Sequence, residues 1–242
     1  THPAAEKAVV VAAPDVDLRE AGETATQIDT LSARLCADGV RFATSEDALA
    51  NGQAAKEALG ATLLRGAEAC EANVRRIQSP HVLHVATAAL SLRSAVDRCK
   101  EHAHAAAGGP SLLGAQSPLL RCGLALAGAN TSIGGGATPL AAGSGMLTAQ
   151  QTTGMDLLGT ELAVLILSHE GVLDRKVLHG VRRAFTIAGA RTVITSLAPL
   201  PPHAASTVVS ELYTRLAKGE GRGAAVRATQ LALRRAGHDV SV

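Results

Sequence analysis

Three consecutive side chains, Ser168, His169 and Glu170, bring a hydroxyl, an imidazole and a carboxylate together just after an apolar run. Those are the groups a hydrolase uses to activate a nucleophile. Neighbours in a sharp turn point in different directions, however, whereas a catalytic triad converges in space from separate elements. The flanks also differ from a G-x-S-x-G elbow, because Ile166 and Leu167 precede Ser168. Taken alone, these residues favour a plain strand-to-loop turn over a nucleophilic Ser168.

The other reactive groups are less well placed. His84 lies inside an apolar run, where a histidine is more often a hydrogen-bonded core residue than a ligand. Glu101, His102 and His104 could ligate a metal from a loop, yet no Cys or carboxylate stands at a matching spacing, and a solvated loop is the stronger reading. Gly134 to Gly136 could cradle a phosphate, but they do not lead from a clear strand into a helix and no Lys follows. Cys36, Cys70, Cys99 and Cys122 form no C-x-x-C, so neither a zinc site nor a dithiol redox motif is visible and reduced, mostly buried thiols are expected. No metal and no cofactor is expected.

The elements that must position these groups are short. Apolar runs, mostly rich in Val, Ile and Leu, recur at Ala8 to Ala13, Ala61 to Leu64, His81 to Thr87, Cys122 to Ala127, Leu162 to Leu167 and Thr192 to Leu197. They read as strands buried on both faces. Helical periods lie between and after them: Leu178, Val181, Phe185 and Ala188 share one face of a helix ending at Gly189, and Val209, Leu212 and Leu216 share another. A last helix, starting after Gly223, turns Ala225, Val226, Thr229, Ala232 and Leu233 to one side and is expected to pack on the sheet. Residues 101–118 and the Gly-rich stretch 134–145 have no period and read as loops, the second of them mobile. Alternating strands and helices predict one α/β domain over residues 1–242, with a mostly parallel β-sheet flanked by helices on both faces. Reactive groups in such sheets sit beyond the carboxyl ends of the strands. The ends that stand out are Thr87, followed by Ala88 and Ala89, and Leu167, followed by Ser168; the two are expected to face a shared crevice.

Composition narrows the function. With 23 Lys and Arg against 21 Asp and Glu, the net charge of +2 creates no broad field for a polyanion. Phe42, Phe185 and Tyr213 are the only aromatics, too few for a base-stacking platform. Neither nucleic acid nor membrane is therefore an expected partner, and no apolar run is long enough to span a bilayer. A cytoplasmic location is expected. Ala supplies 48 of 242 residues, so the core must be built largely from small side chains with elements packed closely. Arg outnumbers Lys 18 to 5, which with the Ala excess suggests a GC-rich bacterial genome. The first residue is Thr1 rather than Met, which suggests a fragment of a longer chain or a processed product.

Six blocks in succession carry a family resemblance. "SPHVLHVAT" at Ser79 to Thr87, "PLLRCGLALAGAN" at Pro118 to Asn130 and "GMLTAQQ" at Gly145 to Gln151 are the first three. "DLLGTELAVL" at Asp156 to Leu165, "GVRRAFTIAGARTVITSL" at Gly180 to Leu197 and "SELYTRLAKG" at Ser210 to Gly219 follow. Together with "AVVVAAPD" at the first strand, they resemble the CHAT domain. The resemblance implies a caspase-like fold related to separase, usually placed at the C-terminal end of bacterial proteins behind tetratricopeptide repeats or another sensing module.

It also implies where chemistry belongs. The family presents a His in a pattern like "LH-x-A-T-H-G" and a Cys in a pattern like "V-L-S-A-C-x-T-G". Here these read "LHVATAAL" and "VLILSHEG", which puts Ala88 at the His position and Ser168 at the Cys position. A pocket pattern like "S-L-W-x-V-x-D" reads "SLAPLPP", with Ala198 for the Trp and Pro202 for the Asp. Ala89, Ile166 and Leu167 depart as well, a spread that fits natural divergence better than a designed knockout. A serine hydroxyl without a base is a far poorer nucleophile than a Cys thiolate. His169 is the candidate replacement base, although it adjoins Ser168 on one turn whereas the family brings its base from another strand. The leading expectation is a pseudopeptidase that binds a protein partner or an upstream repeat or sensor region of its own polypeptide. An active hydrolase using Ser168 and a self-assembly module are the alternatives.

Overall fold

The computed structural model describes residues 7–20, 41–42, 46–91, 119, 122–133, 136–168, 175–197, 200, 204–235 and 237. Its first strand, β1 (Ala8–Pro14), is buried at every position. Next come α1 (Glu46–Leu59), β2 (Thr62–Gly66), α2 (Glu71–Arg75) and the long β3 (Val82–Ser91). β4 (Cys122–Ala125), α3 (Ala129–Ile133), β5 (Met146–Thr148) and α4 (Ala149–Thr153) follow. The chain then forms β6 (Leu162–Ser168), α5 (Arg175–Ile187), β7 (Val193–Thr195), α6 (Ala204–Ala217) and α7 (Arg222–Arg235).

Five strands lie parallel in the order β2-β1-β3-β6-β7. β3 outruns its neighbours: Val82 to Ala88 belong to this parallel sheet, while Ala89 to Ser91 pair antiparallel with β4, which in turn pairs antiparallel with β5. Period-2 alternation sorts the side chains. Val9, Val11, Leu83, Val85, Ala163 and Leu165 face Leu178, Val181 and Phe185 of α5. Ala8, Val10, Ala12, Ala86, Leu162 and Val164 face Ala55 of α1, Val209, Leu212 and Tyr213 of α6, and Ala225 of α7. The mostly parallel sheet with helices on both faces is thus the observed architecture.

Several local expectations are corrected. The edge strands β2 and β7 are half-buried or exposed rather than buried on both faces, because each has a neighbour on one side only. β4 stops at Ala125, where the chain turns at Ala127 and Gly128. The last helix begins at Arg222, so Gly223 lies in its first turn. α7 packs on α6 and is anchored to the sheet by Arg222, which donates to Thr192 Oγ1 at 2.6 Å and pairs with Glu161 at 3.0 Å. Gly134 and Gly135 lie outside the described residues; the stretch after them holds a 3-10 turn at Leu140–Ala142. Ser144 in that stretch donates to the Glu71 carboxylate from both its N–H and its hydroxyl, at 3.3 Å each. Among the described residues no helix is long and apolar enough to cross a membrane.

The alanine-rich composition shows its use where α1 crosses β1. A Cβ added to Gly52 would lie 2.2 Å from the Ala12 Cβ, so the helix rides on the strand at a distance only glycine permits. Gly52→Ala is therefore expected to cost about 2 kcal/mol or more, despite alanine's better helix propensity, because overpacking must push the helix away. Urea unfolding measures it, and an unchanged midpoint would contradict the close approach.

Candidate active site

β3 and β6 are the central pair, and their register runs from Val82↔Leu162 to Ala88↔Ser168. Paired residues on adjacent parallel strands are about 5 Å apart and point to the same face. Ala88 therefore shares a face with Ser168 at the carboxyl end of the sheet, as the strand ends led one to expect. The site comes from two elements that each need a continuous apolar run to lie buried at the sheet centre.

The two positions differ in environment. Ser168 is exposed, and among the described residues its hydroxyl has no hydrogen-bond partner. Ala88 is 8 % exposed and packs in an apolar cluster with Val16, Phe42, Ala125 and Ala129, against which Ile133 and Met146 lean. Around this cluster, Thr87 donates to the Ala125 carbonyl at 2.6 Å, tying β3 to β4 where the sheet splits. Leu167 N–H donates to Ser196 Oγ at 3.2 Å and Ser196 N–H to the Leu165 carbonyl at 3.1 Å, which fixes the end of β6 against the residue after β7.

At the end of β1 the backbone is strained: Ala13 has φ 44 ahead of Pro14, at the bulge where pairing with β2 shifts. The chain then turns beside the Ala88 cluster and contributes Val16 to it. Asn130, at the start of α3, gathers this region. Its side chain bonds both backbone groups of Phe42 and one oxygen of Asp17. Sequence reasoning missed Asn130 as a structural centre; no local pattern marks a side chain that bonds a backbone 88 positions away.

His169, Glu170, Ala198 and Pro202 lie outside the described residues, as do Glu101, His102 and His104 and the cysteines Cys36 and Cys99. Among the described residues no group of three or more His, Cys, Asp or Glu could hold a metal. Cys70 and Cys122 are both buried, and burial pushes the Cys122 thiol up to about 11, far from the thiolate form at neutral pH.

His84 is a core residue, fully buried on β3. Asn51 Oδ1 lies 2.8 Å from its Nε2 and accepts that N–H, which leaves Nδ1 to accept from the Tyr213 hydroxyl at 2.9 Å. The ring thus joins the central strand to both α1 and α6, and burial lowers its pKa to about 3, so it stays neutral.

Residues 1–240 match the family model of the CHAT domain. No curated protein matches the chain.

Proposed function

The chain belongs to the CHAT-domain family, which is caspase-like and related to peptidases, and from that membership we propose that it is a catalytically inactive member acting as a binding or regulatory module. The reading takes residues 1–242 as one domain, the C-terminal part of a longer bacterial protein working in the cytoplasm. Its partner is another protein or a repeat or sensor region upstream in the same polypeptide.

One observation carries the proposal. At the paired strand ends a methyl group, Ala88, sits within an apolar cluster beside an exposed hydroxyl, Ser168. A hydrolase of this design requires a base on one strand and a nucleophile on the other. Alanine offers no proton acceptor, and an unassisted serine has an alkoxide population too small for attack. The register supports assigning the family's two catalytic positions to these residues, since a His and a Cys there would be neighbours on one face.

A fluorophosphonate probe tests this directly. No labelling of the chain is expected. Labelling that disappears in Ser168→Ala would instead make Ser168 an activated nucleophile and favour the hydrolase reading.

A further inference from the structure

The helix α5 carries Arg175, Lys176, Arg182 and Arg183 and no Asp or Glu. With those four cations on one helix of a chain whose net charge is +2, the remainder is net −2, so the patch is local. Helix stability does not call for it, since Arg175 and Lys176 stand at the N-terminal end, where the helix dipole disfavours cations. Nor do ion pairs within the fold use it. Arg41, Arg75, Arg191, Arg215 and Arg222 each meet an Asp or Glu. Among the described residues Arg182 and Arg183 are exposed and meet no carboxylate; Arg182 reaches only His179 Nδ1, at 3.4 Å. The elements packed beside α5, namely α4, β3, β4 and β7, contain no acid. Asp156, in the loop that touches the helix end, already accepts at Oδ1 from Ser79 Oγ at 2.8 Å and Leu158 N–H at 3.3 Å.

The C-terminal end of the same helix adds apolar surface. Ile187, one turn beyond Arg183, is 52 % exposed, and Leu158 is 67 % exposed. The two residues flank one spot: Leu157 N–H donates to the Ala188 carbonyl at 3.0 Å, and a Cβ on Gly189 would lie 2.9 Å from Leu158 Cδ2. From His179 to Ile187 the exposed stripe runs about 12 Å along the helix.

We infer that this outer face of α5 is a docking surface for an acidic amphipathic helix of a partner protein, whose carboxylates meet Arg182 and Arg183 while its aliphatic side chains cover Ile187 and Leu158. The inference rests on the reading of the chain as a binding module and adds the chemistry of the partner. Charge complementarity selects the occupant, because guanidinium groups pair with carboxylates and the apolar pair one turn away takes anchors at helical spacing. Nucleic acid would satisfy the arginines but leave Ile187 and Leu158 uncovered, and it would find no ring to stack a base, since Phe42, Phe185 and Tyr213 are all buried.

The test is fluorescence anisotropy with a fluorescein-labelled synthetic helix built of Glu with a Leu stripe at every third and fourth position. Saturable binding to the full chain is expected, weakened about tenfold or more by joint Arg182→Glu and Arg183→Glu substitution and by added salt. Joint Leu158→Ala and Ile187→Ala substitution, or replacement of the peptide's leucines by alanine, should weaken it by a similar factor. The control is Arg234→Glu with Arg235→Glu on α7, which is also free of acids and exposes both side chains. It changes the net charge equally and should alter binding less than about twofold.

No saturable binding overturns the proposal, as does an equal loss in the α7 control or unchanged binding in the α5 variants. Competition by oligothymidine as strong as that by unlabelled peptide also overturns it, by making the patch a polyanion site. If the α5 charge reversal fails to fold, the alanine variants and the alanine peptide decide. Labelling of Ser168 by fluorophosphonate would remove the binding-module reading without changing peptide binding at α5, whereas absence of peptide binding would remove this surface and leave that reading standing.

Discussion

Between pH 7 and pH 4 the fold is expected to lose about 3 kcal/mol of stability through His84 alone, the product of about 2.3 pH units, once the rounding of the titration at each end is allowed for, and about 1.4 kcal/mol per unit. The imidazole has a pKa of about 3 in the folded chain against 6.5 when free in water, because burial penalises its cation. Between those values the unfolded chain binds the proton and the folded chain does not, so stability rises with pH across the window. The term is fully present above about pH 6.5 and is lost as the pH falls toward 3. Geometry adds to the penalty: Nδ1 accepts from the Tyr213 hydroxyl at 2.9 Å, and a protonated ring would set two donors against each other until that hydroxyl turned. Carboxylates elsewhere also titrate in this range, so the measurement is a comparison. Urea unfolding of the parent and of His84→Gln should diverge in their pH dependence by about 3 kcal/mol, the parent being the steeper. Parallel pH profiles would mean that His84 is not held neutral by the fold.

The parts of this fold that were legible in the sequence are those whose burial is unconditional. β1 and the shared stretch of β3 and β6 lie at the centre of the sheet with helices on both sides, and an uninterrupted apolar run is the only pattern that satisfies such a position. α5 could be read because Leu178, Val181 and Phe185 are large and fall at helical spacing. α1 could not: the side it buries is Asn51, Gly52 and Ala55, which lacks the apolar stripe a helical period is recognised by. β5, at three residues, is too short to show alternation. The pairing of Ala88 with Ser168 followed from where two apolar runs ended. The cluster that closes over Ala88 did not, since Phe42 is brought there by Asn130 through long-range bonds between a side chain and the backbone. His84 was recognisable as a core histidine from its apolar flanks, whereas Asn51 and Tyr213 become its partners only after α1 and α6 have docked.

Incubated with a peptide library, the chain is expected to leave every member uncleaved, including peptides with a basic residue before the scissile bond of the kind separase-related enzymes favour. Catalysis in this family needs a nucleophile and a base from two strand ends. Here the register pairs Ala88 with Ser168, and Ala88 is enclosed by Val16, Phe42, Ala125 and Ala129. The side chains that pack with Ala88 in that cluster are apolar. The deficit from losing members of a catalytic unit is roughly 10⁴ to 10⁶ in rate in well-studied triads, which puts any residual turnover below ordinary detection. Replacing thiolate by hydroxyl works in the same direction, because a serine with no base is almost entirely protonated at neutral pH. The parent and Ser168→Ala should be run side by side with product analysis by mass spectrometry. Cleavage lost in the variant would make Ser168 a working nucleophile and require a base from outside this cluster, with His169 the first residue to substitute. Cleavage surviving in the variant would rule out Ser168 as its source and locate the activity at some other residue or in a contaminating protease.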